Sequence, residues 1–324
     1  MVHYTMTHDS NIGLIRHEDF IQPFTVNKST VRGRMVRVGD VLDTILTRHD
    51  NHPLVNKLLG ELLTLAAMLS ANLPEDGILT MQAKGDGAIP FAVVDATGKG
   101  AIRGYADISE HGDDTLTALE QAGKEITLPD LMGKGYLAIT LDMGFGDPYQ
   151  GIVPLEGASM SEAVTNYCTQ SQQIDVKFNI YVGLRERDDG TKRWRAGGLM
   201  LERIPEEGGN PENKKRRASD ELSSWSYNAL LIDTATEDEL LDPHLAASAL
   251  LYRLFNEGGV WAGDSVSIPG DCRCSREKIE NVFSTMDAAT LEDMKMDGVI
   301  SVVCQFCNCE ETFNDADIAK MNEG

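Results

Sequence analysis

The sequence predicts an α/β (α+β) N-terminal domain, a mixed sheet covered by helices, followed by a helical linker and a small cysteine-bearing domain. Three observations predict it. Short alternating apolar stretches recur from residue 24 to about 200, around one long apolar run at 54–71. Composition turns polar at 202–235 before helical signals return. Five of the six cysteines fall in the last 53 residues. The expected boundaries are 1–201, 202–263 for the linker, and 264–324.

Each element has a local reason. "FTVNKSTVRGRMVRV" at 24–38 alternates as strands do, with Arg32 and Arg34 giving it two-faced character. "LVNKLLGELLTLAAMLSA" at 54–71 is apolar on most faces and lacks proline, which predicts a buried central helix. "GILTMQAKGDG" and "IPFAVVDATGKGAIRGYADI" supply two or three strands, with "ATGKG" at 96–100 as a hairpin turn. "GYLAITLDM" and "YQGIVPL" repeat the pattern. Ser159 with Glu162 forms a capping-box pattern opening a helix that carries Cys168, and "VKFNIYVGL" and "RAGGLML" complete the sheet. In the linker, Thr236 with Glu239 is a second capping box, Pro243 suits the first turn of a new helix and Gly258 its end. The stretch 233–242 carries five acids and no base.

Charge narrows the function classes. Against 29 basic residues stand 51 acidic ones, a formal charge of −22 and a pI near 4.6, so nucleic acid is repelled over most of the surface. The one basic run, Lys214 to Arg217 before Ser219, reads as a solvated loop. The N-terminus lacks a basic segment followed by an apolar block, and no uninterrupted apolar run approaches the roughly 20 residues that span a bilayer. The expectation is a cytoplasmic protein without a nucleic-acid or membrane partner. In a reducing cytosol, clustered cysteines bind metal or respond to redox state rather than forming permanent disulfides.

The cysteine spacing specifies a metal. Cys272 and Cys274 flank Arg273, and after 29 residues Cys304 and Cys307 bracket Gln305 and Phe306. Residues i and i+2 of an extended segment point to one side, so the first pair converges without a turn. The second follows the apolar "GVISVV", a strand-then-knuckle pattern, and helix-forming "SREKIENVFSTM" and "LEDMKM" fill the interval. Four thiolates close a tetrahedral zinc site, so Cys272, Cys274, Cys304 and Cys307 are the expected ligands of one Zn²⁺. A domain this small lacks a self-sufficient core, and metal binding becomes its folding energy. Oxidation of such thiolates forms disulfides and ejects the ion, which makes the site a switch; a permanently structural zinc ribbon shares the spacing.

With these motifs in place, "CRCSREKIE" and "GVISVVCQFCN" resemble the 33 kDa chaperonin family, the redox-regulated heat-shock holdases. "STVRGRMVRVGDVLDTIL", "LLGELLTLAAMLSANL", "IRGYAD", "GKGYLAITLD", "YQGIVPLEG" and "LLYRLFNEGGV" extend the resemblance over nearly the whole chain. It implies an ATP-independent chaperone, inactive while reduced and zinc-bound. It further implies disulfides between Cys272 and Cys274 and between Cys304 and Cys307 on oxidation, zinc release, a loosened linker, capture of unfolded or misfolded client proteins, and a homodimer on activation. Cys309 and Cys168 are additional to that pattern and could divert the pairing.

Rival classes are weaker. Thioredoxin-like oxidoreductases place Cys-X-X-Cys where a strand meets a helix in a βαβ unit, which the sequence around Cys304 lacks. A zinc-ribbon regulator of transcription would need a basic recognition surface. "GKGAIRG" and "LDMGFGDP" complete neither a P-loop nor a dinucleotide fingerprint, and His49 and His52 read as a surface loop before a helix. No catalytic residues are expected, and the protein is read as a non-enzyme.

Overall fold

The computed structural model describes residues 18–26, 31–204 and 224–321. The N-terminal segment, residues 27–30 of the expected strand pair, and the Lys214 to Arg217 run with Ser219 lie outside the described residues. Contacts divide the chain into two compact units, one ending at Gly270 and one beginning at Asp271.

The first unit is built on two sheets, and every pairing in them is antiparallel. One contains β1 (Phe20–Val26), β2 (Val31–Val38), β8 (Val176–Glu186), β9 (Lys192–Arg203) and β10 (Val260–Ala262), in the order β10-β1-β2-β9-β8, with β11 (Val266–Ser267) also on β1. The other contains β3 (Ile78–Gly85), β4 (Phe91–Thr97), β5 (Ile102–Asp107), β6 (Gly135–Asp142) and β7 (Tyr149–Pro154), in the order β5-β4-β3-β6-β7. The expected sheet with covering helices is therefore present as two sheets. The segment 260–267 returns to pair with β1, Phe24 opposite Ala262 and Phe20 opposite Ser267.

After α1 (Asp40–Leu46), the apolar run forms α2 (Pro53–Ser70), which packs against strands of both sheets. His52 starts it: its Nδ1 accepts the Leu54 N–H at 3.2 Å, and Pro53 needs no partner in the first turn. The 18 residues of α2 have the length and apolarity of a membrane span, but 78% of them are buried in this core. Shorter helices α3 (Gly112–Gln121), α4 (Leu128–Met132) and α5 (Met160–Tyr167) complete the cover. Ser159 caps α5 as expected, accepting from the Glu162 N–H, whereas the Glu162 carboxylate accepts from Ala158; Cys168 ends the helix and opens a π turn.

The region expected as a linker packs on the first sheet's other face. Helix α6 spans the described residues 224–233, followed by α7 (Glu237–Leu241) and α8 (Ala247–Phe255). Thr236 and Glu239 make the full capping box at α7. Pro243 lies ahead of α8 rather than in its first turn, because Ala246 is the N-cap, and Asn256 rather than Gly258 closes that helix. Leu240, Leu250, Leu254 and Phe255 bury against Phe24, Met35, Leu199 and Leu201. "AGGL" in β9 permits close approach from both sides. A Cβ at Gly197 would stand 2.2 Å from the Leu240 carbonyl of α7, and one at Gly198 would stand 2.7 Å from Met68 Cε of α2.

The second unit contains α9 (Arg276–Phe283), α10 (Ala288–Asp293), β12 (Val299–Val303), β13 (Glu310–Asn314) and α11 (Asp315–Met321). Ser275 and Asp287 cap the first two helices. Its buried hydrophobic cluster is Phe283, Leu291, Ile300 and Phe313, with the two phenyl rings edge-on at 5.0 Å.

Candidate metal centre

Two local structures present the thiols. Cys272 and Cys274 lie on irregular chain immediately before α9, and Ser275, next in sequence, is that helix's N-cap. Cys304 and Cys307 occupy the turn of the β12–β13 hairpin. That turn is closed by the Cys304 N–H donating to the Cys309 carbonyl at 3.0 Å and the Asn308 N–H donating to the Cys304 carbonyl at 2.8 Å. Asn308 takes φ +55°, a left-handed position an asparagine tolerates. The N–H groups of Phe306 and Cys307 point at the Cys304 sulfur, which favours its thiolate.

The four sulfurs lie within 4.8 Å of one another, and all four residues are half-buried. Cys272 Sγ is 3.9 Å from Cys304 Sγ, and Cys274 Sγ is 3.3 Å from Cys307 Sγ. Bonds of about 2.3 Å to a tetrahedral ion place sulfurs about 3.8 Å apart, so the donor set fits a soft divalent cation. Burial, then the Cys307 and Cys272 sulfurs, push the Cys274 thiol up, and burial does the same at Cys304. A cation offsets that cost by neutralising the thiolates it binds.

One side chain ties the surrounding elements together. The Arg276 guanidinium pairs with Glu280 at 3.2 Å, Glu311 at 3.2 Å and Asp317 at 3.1 Å, and stacks 4.1 Å from the Phe313 ring centroid. It joins α9, β13 and α11 two residues after a candidate ligand.

The remaining cysteines stand apart. Cys309 is exposed and outside the sulfur cluster, contributing its carbonyl to the hairpin turn. Cys168 is buried in the first unit, and burial pushes its thiol up to about 12. The histidines read as a surface loop have local roles: His52 caps α2, and His49 sits edge-on to Tyr105 at 5.4 Å. The Cys-X-X-Cys joins two strands, not a strand and a helix.

Sequence reasoning missed the polar groups that hold α6–α8. Arg37 donates to the Glu239 carbonyl at 2.8 Å and to that of Leu245, and Arg195 donates to the Leu241 carbonyl at 3.0 Å and pairs with Glu18 at 2.8 Å. Asn179 donates to the carbonyls of Ile232 at 2.6 Å and Ala235 at 2.9 Å. Burial, then repulsion from Arg195, pulls the Arg37 guanidinium down to about 10. Arginines within apolar-flanked strands were the one available signal.

An α+β unit carrying a separate four-cysteine unit is the class that fold and site define. The family model described as Hsp33 protein matches residues 19–314. A 33 kDa chaperonin of Caulobacter vibrioides is 34% identical over 293 residues, which cover 90% of this chain and 93% of that protein. One from Pseudomonas syringae pv. syringae is 34% identical over 309 residues, 94% of each. The crystal structure of a 33 kDa chaperonin (heat shock protein 33 homolog) from Thermotoga maritima matches with a TM-score of 0.73 at 25% identity, covering 94% of this chain and 98% of that one. The chain belongs to the Hsp33 family, and that membership supports a chaperone function.

Proposed function

We propose that the chain is an ATP-independent holdase whose affinity for unfolding proteins is set by the oxidation state of Cys272, Cys274, Cys304 and Cys307. The observation that carries this reading is the convergence of those four sulfurs within 4.8 Å in a unit with a four-residue buried cluster. In the reduced chain the four would hold one Zn²⁺, which supplies charge neutralisation and a covalent-strength tether between the hairpin turn and the start of α9.

Oxidation by a peroxide or hypochlorite joins Cys272 to Cys274 and Cys304 to Cys307. Each bridge forms one S–S bond from two thiolates and passes two electrons to the oxidant, which takes two protons from solvent and leaves as water or as chloride and water, while the Zn²⁺ they held departs. The donor set is then consumed and the ion is not retained. All the sulfurs are close enough that bridges across the two pairs compete; the within-pair assignment follows the family resemblance. The small unit loses its folding energy, and α6–α8, held through Arg37, Arg195 and Asn179, is released to expose the apolar face of β1, β2 and β9 to clients. A homodimer on activation, a cytoplasmic location, and the absence of catalysis and of nucleic-acid or membrane partners complete the reading; the charge of −22 supports the exclusion of nucleic acid.

The test compares reduced and peroxide-treated protein, without ATP, for suppression of the aggregation of a chemically unfolded client, with disulfides mapped by mass spectrometry. Suppression confined to the oxidised protein with bridges 272–274 and 304–307 is expected. Equal suppression in both states, or dominant bridges 272–304 and 274–307, contradicts it.

A further inference from the structure

Among the described residues no strand pairs with the β7 edge of the second sheet, and its guard is limited to Pro154 at the strand's end. Proteins ordinarily protect such an edge with charges, because its free N–H and C=O groups template another strand. The opposite edge, β5, carries Arg103 and Asp107, and the first sheet's edge β8 carries Lys177, Arg185 and Glu186. β7, "YQGIVP", carries no charged side chain. In β7 itself Tyr149 is 49% and Ile152 60% exposed, and the turn leading into it presents Phe145 at 71%. An apolar cluster of this kind on a soluble surface marks an interaction site.

The main chain is aimed for pairing. The Leu155 N–H donates to the Gly135 carbonyl at 3.0 Å, which continues the β6–β7 register in which Val153 faces Leu137 and Gly151 faces Ile139. In an antiparallel ladder those pairs bond to each other, and the intervening residues turn their N–H and C=O groups the other way. Gln150 and Ile152 therefore offer two donors and two acceptors outward. Charge selects what docks there. Between residues 134 and 156 the chain has Asp142, Asp147 and Glu156 against the single base Lys134, within a protein of net charge −22. A second copy would bring the same acids to face their own kind, whereas a segment alternating apolar and basic residues matches both the apolar surface and the sign.

We propose that β7 and the turn before it receive an extended apolar and basic segment of an unfolding polypeptide as an added β-strand. This rests on the chaperone reading and adds to the face of β1, β2 and β9 a second client surface, with its client chemistry.

The probe is a fluorescein-labelled peptide alternating valine and lysine, about eight residues long to match a strand, added at low salt to the full-length chain, peroxide-oxidised as in the aggregation assay. Anisotropy should report binding, weakened about tenfold, or about 1.4 kcal/mol, when valine alternates with glutamate or when alternate peptide nitrogens are methylated. Ile152→Lys, Phe145→Ser and Gln150→Pro should each weaken it comparably. Phe145 lies in an exposed turn, so Phe145→Ser decides the matter even if the proline variant fails to fold. Methylated peptide binding like its parent, or Phe145→Ser and Ile152→Lys binding like wild type, overturns the proposal. So does a reduced dimer that Ile152→Lys makes monomeric, which would assign the edge to a second copy. Aggregation suppression by oxidised protein separates the two readings. If wild type binds peptide but suppresses nothing, the chaperone reading fails and the edge stands. If peptide-blind variants suppress fully, the edge fails as the client surface and the chaperone reading stands.

Discussion

The two units hold themselves together by different means. The first wraps α2 between strands of two sheets and buries Leu59, Leu62, Leu63, Leu65 and Met68 almost completely, while a second cluster fixes α6–α8 to the first sheet. The second unit offers Phe283, Leu291, Ile300 and Phe313, with Arg276 and three carboxylates around them and four thiols converging at one end. A unit of fewer than about 70 residues rarely draws more than about 3–5 kcal/mol from its core alone. The first unit is stable by burial, and under the proposed reading the second depends on coordination, so a chemical signal that reaches sulfur would unfold part of the molecule and leave the core of the first unit standing.

The largest expected effect follows from removing the metal. Chelation of the reduced chain should withdraw about 10–16 kcal/mol of binding free energy from the second unit. Amide protection in β12 and β13 should vanish while that of α2 persists. Loss of protection in both would show that the units do not differ in the way described. Next in size, Cys272→Ser and Cys304→Ser should each weaken zinc binding by about two orders of magnitude, roughly one quarter of that free energy. Full zinc content in both variants removes the site.

The converse substitution sharpens the contrast. Leu62 is fully buried in α2, and Leu62→Ala should cost the first unit about 2–5 kcal/mol, lowering its thermal midpoint with zinc stoichiometry unchanged. A parallel loss of zinc would make the units interdependent. Smaller still, Thr236→Ala removes the α7 capping box and should cost about 1 kcal/mol, seen as faster proteolysis at 237–245. Thiol reactivity should divide the same way. At pH 8 iodoacetamide should label exposed Cys309 in the folded chain while Cys168, its thiol pushed up to about 12, stays unmodified. Early labelling of Cys168 would contradict its placement.

The four-sulfur cluster was the most legible part of the sequence, because Cys272, Cys274, Cys304 and Cys307 need only short-range geometry to converge in pairs. The buried helix and the Thr236–Glu239 cap were legible for the same reason: periodicity and capping are local. The division into two sheets was not, since strand partners such as Phe24 and Ala262 are chosen by three-dimensional closure rather than by neighbouring residues. Pro243 misled because proline also suits the irregular chain ahead of a helix. Arg37 and Arg195 in apolar-flanked strands hinted at buried donors, but which carbonyls of α6–α8 they and Asn179 would reach was not legible, as any backbone carbonyl can accept and no residue type marks it.

In the proposed function, sulfur oxidation converts a metal-held unit into a released one and thereby activates the chaperone. Zinc release and suppression of client aggregation should be followed in one sample, without ATP, as peroxide or hypochlorite is titrated in, with proteolysis at 224–245 as the third signal. The three should rise together and reverse together on reduction with zinc resupplied. Full suppression before any zinc is lost, or complete zinc loss with no gain in suppression, would contradict it.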